Sequence, residues 1–509
     1  MKKYGFQIFV LILFVALGSS LLKYEPQGVH SWAQSDRYSV AYHYLDEVNF
    51  FKARTHTLTS NDGRVGVEFP IVQYTAARLA SLTVRDYLPY IYRILTGIIF
   101  AFGCYKFLLV FPFTVHLKSF LYLLLISPIV LFYQFNFLPD VAALGILFWS
   151  LSFLVKFQNN GTLSNMSLAL LLGALATLTK TSCGIYLIAL VAVFAFKFKQ
   201  YKPFEIVKMG GLILALVILI ISYDYYAFHK VNQDYWSVVF MSSTNTIGSW
   251  QELVSVWKNS QVWFGDYLSS AQYILLVVVI VALWVRRKSV RIFSMKTSVV
   301  FGWISLTGVL SFSLLFGKQY SNHDYYIICT FYPLFAWFLV NSLNQLSNRG
   351  WLYRGIVIPI IFVLGVYHFV EIQDNAQARM GEYYWAQDRA IINETHWMKD
   401  SFKELRDANV SSNARIFVLY EFGPNSCLVG FNRRGKVFNH EEMERETKDH
   451  LNYWKDRINP EYFIIRSHWI THLEKDQPSW LEGSDLIFEK EVPIPESTDS
   501  YMLYKFKQS

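Results

Sequence analysis

The sequence predicts a polytopic α-helical membrane protein with an α/β domain at its C-terminal end, and three observations carry that prediction. Of 509 residues, 53% are hydrophobic, 18% aromatic and only 17% charged, with a mean hydropathy of +0.26, which is too apolar for a soluble protein of this size. Apolar runs long enough to cross a bilayer recur from the N-terminus to about residue 371. After that point the chain becomes charged and alternating.

The first run, MKKYGFQIFVLILFVALGSSLL, joins a basic start to an apolar body of about 18 residues, nearer to a span than to the shorter core of a cleaved signal. It is expected to be a retained anchor with Lys2 and Lys3 inside. Further runs follow at 88–111, 119–136, 139–156, 165–178, 181–197, 209–228, 272–285, 297–316, 326–342 and 354–371. Together they make about eleven transmembrane helices.

The basic clusters test this layout, because short cytoplasmic loops are the Lys/Arg-rich ones. Alternation puts Lys118, Lys156, the group Lys197, Lys199, Lys202 and Lys208, the group Arg286, Arg287, Lys288 and Arg291, and Arg349 with Arg354 all inside. Outside fall the loop 24–87, the turns around Asp140, Lys180 and His323, the loop 229–271, and everything after 371. The net charge of +8 is thereby explained by lipid and topology, which argues against a nucleic-acid partner. Cys104, Cys183, Cys329 and Cys427 are scattered, without the spacing of a disulfide framework or a zinc site.

In the tail, 414–420, 461–467, 485–492 and 501–507 read as strands, and 382–407 and 440–456 as helices. The expected domains are 1–371 in the membrane, with 24–87 as its first outer loop, and 372–509 as an outer α/β domain.

The candidate chemistry lies on the outer side. Asp36 stands early in the first loop beside Arg37, where a carboxylate suits the task of a general base; the alternative is a solvated acid paired with Arg37. Asp140 follows Pro139 at the start of a span. An acid deep in a span costs roughly 2.5 to 3.5 kcal/mol, so Asp140 should face water, a cavity or the positive end of a helix dipole. Lys180 interrupts an apolar hairpin, and GKQYSNHDYY adds Lys318, His323, Asp324 and Tyr325 at another outer turn. Cations at that depth suit a lipid-linked phosphate, against the alternatives of a snorkelling lysine and an interfacial aromatic belt.

The order WAQSDRY, NDGRVGVEFPIVQYTAARLASL, LPDVAALGILFWSL, LTKTSCGIYL and NHDYYIICTFYP resembles the GT-C type membrane glycosyltransferases. The branch it is most similar to is the bacterial one related to protein O-mannosyltransferases and lipid A aminoarabinose transferases. The resemblance covers residues 1 to about 370. It implies transfer of a sugar from a polyprenyl-phosphate donor to a hydroxyl acceptor (lipid, protein or surface polysaccharide) on the periplasmic face of a bacterial inner membrane, with inversion.

It also implies the site. The family's essential first-loop Asp matches Asp36, its Pro-Asp step matches Asp140, and its Leu-Thr-Lys step matches Lys180. Its Glu-Lys-Pro-Pro step corresponds to Glu68, Phe69 and Pro70, with Phe69 in place of the Lys and Ile71 in place of the second Pro. A phosphate-binding cation would then come from Arg64, Lys180 or Lys318. The expected roles are Asp36, Glu68 and Asp140 as catalytic carboxylates, Arg37, Lys180, Lys318 and His323 on the donor phosphate, and Asp324 and Tyr325 in positioning. No cofactor is assigned; a divalent cation shared by Asp36 and Asp140 is the alternative, with few ligands to hold it. Arg433 and Arg434, in the tail's CLVGFNRRGKVF, either meet an anionic acceptor or are simply solvated.

Rival classes are a transporter or flippase of lipid-linked sugars, which predicts repeated halves, a polymerase or ligase sharing the same donor, and a receptor with the tail as binding module.

Overall fold

The computed structural model describes residues 4–19, 21–22, 26–59, 62–235, 246–285, 296–347, 353–380, 401–419, 423, 425–438, 448–467, 486–493 and 500–506. The chain forms two compact units. One comprises Met1–Leu22, Tyr90–Asp224 and Ser242–Arg379; the other comprises Lys23–Pro89, Tyr225–Met241 and Met380–Ser509.

The first unit is helical. Each of the eleven apolar runs falls on helical structure, one of them on two α-helices. Among the described residues, six helical stretches are long and apolar enough to span a membrane, or eight if two sharply bent pairs each count as one span. The Gly5–Gly18 and Leu163–Thr179 helices are shorter apolar helices. Arg286, Arg287, Lys288, Arg291 and Arg349 lie outside the described residues.

The run read as one span over 119–136 is instead the pair Val115–Leu124 and Pro128–Gln134, bent by 85°. Ser127 caps the second helix by accepting from Val130 N, and Pro128 occupies its first position, a combination that ends one helix and starts another. A break inside an apolar unit leaves carbonyls without donors, at a cost of several kcal/mol each in hydrocarbon. Here distant side chains supply them. Gln272 Nε2 donates to Leu124 O at 2.8 Å, Tyr332 OH to Leu125 O at 2.8 Å, and His368 Nε2 to both Leu123 O at 3.1 Å and Ile126 O at 2.9 Å. His368 Nδ1 then takes the Ser269 hydroxyl at 2.6 Å, which assigns the proton to Nε2.

His368→Leu should therefore destabilise this unit, by about 1–3 kcal/mol for each carbonyl left without a donor. A thermal melt of the purified protein in detergent checks it, and an unchanged midpoint would show that the bend does not depend on these bonds.

The Asp140–Asn160 and Leu163–Thr179 helices form an antiparallel hairpin. Gly161 ends the first with φ 67°, and its N–H returns to Phe157 O. That left-handed conformation is cheap for glycine and strained for most other residues. The hairpin brings the start of one helix, at Asp140, beside the end of the other, at Lys180.

The second unit is built on a five-stranded sheet: β1 (Arg415–Leu419), β2 (Arg434–Phe438), β3 (Tyr462–Arg466), β4 (Leu486–Pro493) and β5 (Ser500–Phe506), in the order β2-β1-β3-β5-β4. β1 pairs in parallel with β2 and β3, while β5 pairs antiparallel with β3 and β4. Alternation sends Ile416 and Val418 to one face, with Cys427, Leu428 and Phe431 of the Ser426–Phe431 helix. Phe417 and Leu419 go to the other, with Phe463 and Leu58.

Four strands fall where the sequence placed them. β2 was not anticipated, because its RRGK lead masks the alternation. The helices read at 382–407 and 440–456 are described as Ser401–Asp407 and Lys448–Ile458; residues 381–400 and 439–447 lie outside the described residues.

The first outer segment, read as largely loop-like, contains the Ser31–His43 and Ile71–Leu82 helices. The former is entered through His30, which is buried in a left-handed conformation at φ 56°. Gln34 Nε2 stitches that turn to the helix by donating to Gln27 O and Val29 O.

The segment around Thr57 then lies along the edge of β2. Gly435 N donates to His56 O at 3.0 Å, and Leu58 N donates to Gly435 O at 2.6 Å. Gly435 also lies close against β1: a Cβ added to it would lie 1.7 Å from Ile416 O. Glycine is required there by space rather than by dihedral angle.

Candidate functional site

The residues singled out from the sequence fall into two clusters and one outlier. In the sheet-containing unit, Asp36 lies on the buried face of the Ser31–His43 helix and is 3% exposed. Its Oδ1 accepts from Asn425 Nδ2 at 2.8 Å. Asn425 is itself fully buried. Its Oδ1 accepts from Thr57 N at 2.9 Å, Thr57 Oγ1 at 3.0 Å and Ser39 Oγ at 3.3 Å. The Asn425 amide is thus saturated on its oxygen side, which fixes its flip and points its NH₂ at Asp36.

Burial raises the Asp36 carboxyl from 3.8 to about 7, opposed by the Asn425 hydrogen bond and the Arg37 charge. A carboxylate balanced near neutrality suits a general base. Arg37 donates to Glu68 Oε2 at 2.8 Å, with both side chains largely buried. Glu68 thereby orients the cation beside Asp36.

Below them, Ser39 Oγ accepts from His56 N at 2.8 Å and lies 2.7 Å from His56 Nδ1. Burial and the nearby Arg434 lower His56 to about 3. Burial, followed by His56 and Arg434, lowers His43 well below its usual value. Both imidazoles are neutral at physiological pH.

Stability follows with opposite signs. Asp36 holds its proton more tightly folded than unfolded, so its charge costs stability increasingly as pH rises from about 4 to about 7. Asp36→Asn should therefore melt higher than the wild type above pH about 7, by at most a few kcal/mol, and the gap should close below pH about 4. Equal gaps at all pH values would contradict the burial of a titrating carboxyl. The two histidines favour the fold in their neutral form, a contribution lost as pH falls below about 6.5.

In the helical unit, Asp140 occupies the first turn of its helix and Lys180 caps the end of its partner. The positive and negative ends of the two helix dipoles meet charges of opposite sign. Lys180 Nζ is 3.3 Å from Asp140 Oδ1, with side chains 8% and 1% exposed. Lys180 also stands over the rings of Tyr325 at 5.5 Å and Tyr326 at 5.3 Å. The His323 ring packs on both tyrosines. A cation faced by tyrosines and balanced by one carboxylate can receive an anionic oxygen.

Asp324 opens the turn before Tyr325 and is fully buried. It accepts from Tyr133 OH at 2.8 Å and from Arg379, whose other arm donates to Asp266 Oδ2 at 2.9 Å. Two carboxylates around one guanidinium keep this turn in place. Lys318 lies elsewhere, paired with Glu252 at 2.9 Å on a half-exposed surface. Among the described residues, no three His, Cys, Asp or Glu side chains gather as a metal site requires.

No family model matches the sequence, and no curated protein matches it either. The fold does match solved structures. ArnT from Cupriavidus metallidurans, solved bound to undecaprenyl phosphate and in the apo state, superposes in both forms with a TM-score of 0.61 at 10% identity, over 97% of each chain. The oligosaccharyltransferase of Archaeoglobus fulgidus, tethered to an acceptor peptide, aligns with a TM-score of 0.50 at 10% identity, covering all of this chain and 74% of its own. The chain has the GT-C fold. At this identity the likeness carries the fold, and it extends over both units.

Within the GT-C fold of this chain, sequence reading missed Asn425, Arg379 and Asp266. Arg379 follows directly on a helix that runs to Ala378, beyond the end at 371 read from hydropathy. Following that helix onward would have exposed it. Arg433 and Arg434, read as either acceptor contacts or solvated, bond backbone carbonyls. Arg433 donates to Phe431 O, Asn432 O and Val410 O, and Arg434 donates to Asp62 O at 2.7 Å.

Proposed function

We propose that this protein transfers a sugar from a polyprenyl-phosphate donor to a hydroxyl acceptor in a single inverting displacement. The observation that carries the reading is Asp36: a buried carboxylate, oriented by an amide and poised near neutral pH, in a chain of GT-C fold. Asp36 takes the acceptor proton as the acceptor oxygen bonds to the anomeric carbon. The bond from that carbon to the phosphate oxygen breaks, and polyprenyl phosphate leaves with the electron pair.

Lys180, flanked by Tyr325 and Tyr326, receives the phosphate charge. Asp140 holds Lys180, and Glu68 holds Arg37. His323 and Asp324 shape the turn that carries the tyrosines. Lys318, committed to Glu252 at the surface, has the weakest claim on the donor.

On this reading residues 1–371 are the transferase domain with about eleven spans, 24–87 its catalytic loop, and 372–509 an outer domain. The assembly would sit in a bacterial inner membrane with its site facing the periplasm. The ArnT structure holds undecaprenyl phosphate and the oligosaccharyltransferase structure an acceptor peptide; such ligands support the substrate classes proposed here.

The test is to supply purified protein with labelled polyprenyl-phosphate sugars and a panel of lipid, peptide and polysaccharide acceptors. Label is expected in an acceptor, with free polyprenyl phosphate released in equal amount. Movement of intact donor across vesicles without transfer would replace this reading with a flippase.

A further inference from the structure

We propose that Asn425, contributed by the C-terminal tail, is a positioning residue for Asp36, so that the outer domain completes the catalytic base. The inference rests on the transferase reading, and the geometry argues it from several sides. Asn425 lies 389 positions from Asp36 in sequence, yet its amide nitrogen is 2.8 Å from the carboxylate. Its oxygen gathers three donors, from Thr57 and Ser39. A side chain this saturated has one orientation. Thr57 is held in turn by the strand-like docking of residues 56–58 on Gly435. Tail, loop and helix therefore converge, through Asn425, on one oxygen of Asp36; among the described residues no hydrogen bond reaches the other.

The hydrogen bond favours the charged carboxylate against its burial. Arg37 on the same helix, fixed by Glu68, acts in the same direction. Within this cluster His43 and His56 are kept neutral, and Arg434 on β2 is lowered only to about 10. None of these three changes charge near neutral pH, and comparison with Asp36→Asn assigns the Asp36 titration.

The experiment compares wild type, Asn425→Leu, which keeps the approximate shape without the donor, and Asn425→Ser, which retains a short donor. Transfer rates are followed against pH, with donor binding and melting temperature measured alongside. Asn425→Leu is expected to bind donor normally and to show an apparent pKa raised by about one unit, so that its rate is about tenfold lower below neutrality and recovers at high pH. Asn425→Ser should fall between the two. A uniform loss without a shift, or no change at all, would overturn the proposal.

Infrared pH-difference spectra, with the Asp36 carboxyl band assigned through Asp36→Asn, read the same titration without turnover. If Asn425→Leu misfolds, the Asn425→Ser spectrum decides: an unmoved band overturns the positioning role. If wild type transfers no sugar from any donor yet the band moves upward in the variants, the transferase reading fails while the Asn425 contact to the carboxyl stands.

Discussion

Asp36→Asn is expected to lower sugar transfer by about 10² to 10⁴-fold while leaving donor affinity within about twofold, the loss typical of removing a positioned general base. The substitution keeps size and the capacity to accept from Asn425, so it removes proton uptake and little else. Asp36→Glu tests the same point from the other side. It restores a base but displaces it by a methylene in a fully buried place, and positioning errors of that scale cost up to about 10²-fold. Glu68→Gln should cost less than either, because its contact is with Arg37. If Glu68→Gln were the more damaging, the base would have been misassigned.

The second large effect belongs to Lys180. Lys180→Met is expected to weaken donor binding by at least about tenfold, through loss of a cation at the phosphate. It should also destabilise the helical unit by about 3–5 kcal/mol, because Asp140 is left as a buried charge without its partner. The two consequences separate in a double variant. Asp140→Asn combined with Lys180→Met removes both charges, so stability should largely return while donor binding stays weak. Recovery of donor binding together with stability would show that the pair is structural and that the phosphate is held elsewhere.

Much of the helical architecture was readable because burial in lipid leaves a strong signature: runs of apolar residues with basic clusters between them. Its bends were not. Ser127 and Pro128 mark a break, but the run around them is continuous in hydropathy, and a broken helix survives there only because His368, Gln272 and Tyr332 reach its carbonyls from afar. Acids and a lysine inside an apolar chain stand out in sequence, which is why Asp36, Asp140 and Lys180 are singled out there. Hydropathy could not say which charge each one meets. The Asp140–Lys180 pair follows from a hairpin that Gly161 closes, a feature legible in retrospect. Asn425 carried no signal: an amide in a polar turn, far along the chain, has no period and no charge to mark it. Arg379 was hidden for a simpler reason, since the helix leading to it outlasts its apolar composition.

The most direct measurement is a single-turnover assay with one labelled polyprenyl-phosphate sugar, run on wild type and Asp36→Asn while donor binding is recorded in the same samples. Both proteins are expected to bind donor, and only the wild type to pass label to the acceptor at an appreciable rate. An Asp36→Asn protein that transfers label as fast as the wild type would contradict the role of Asp36 as the base.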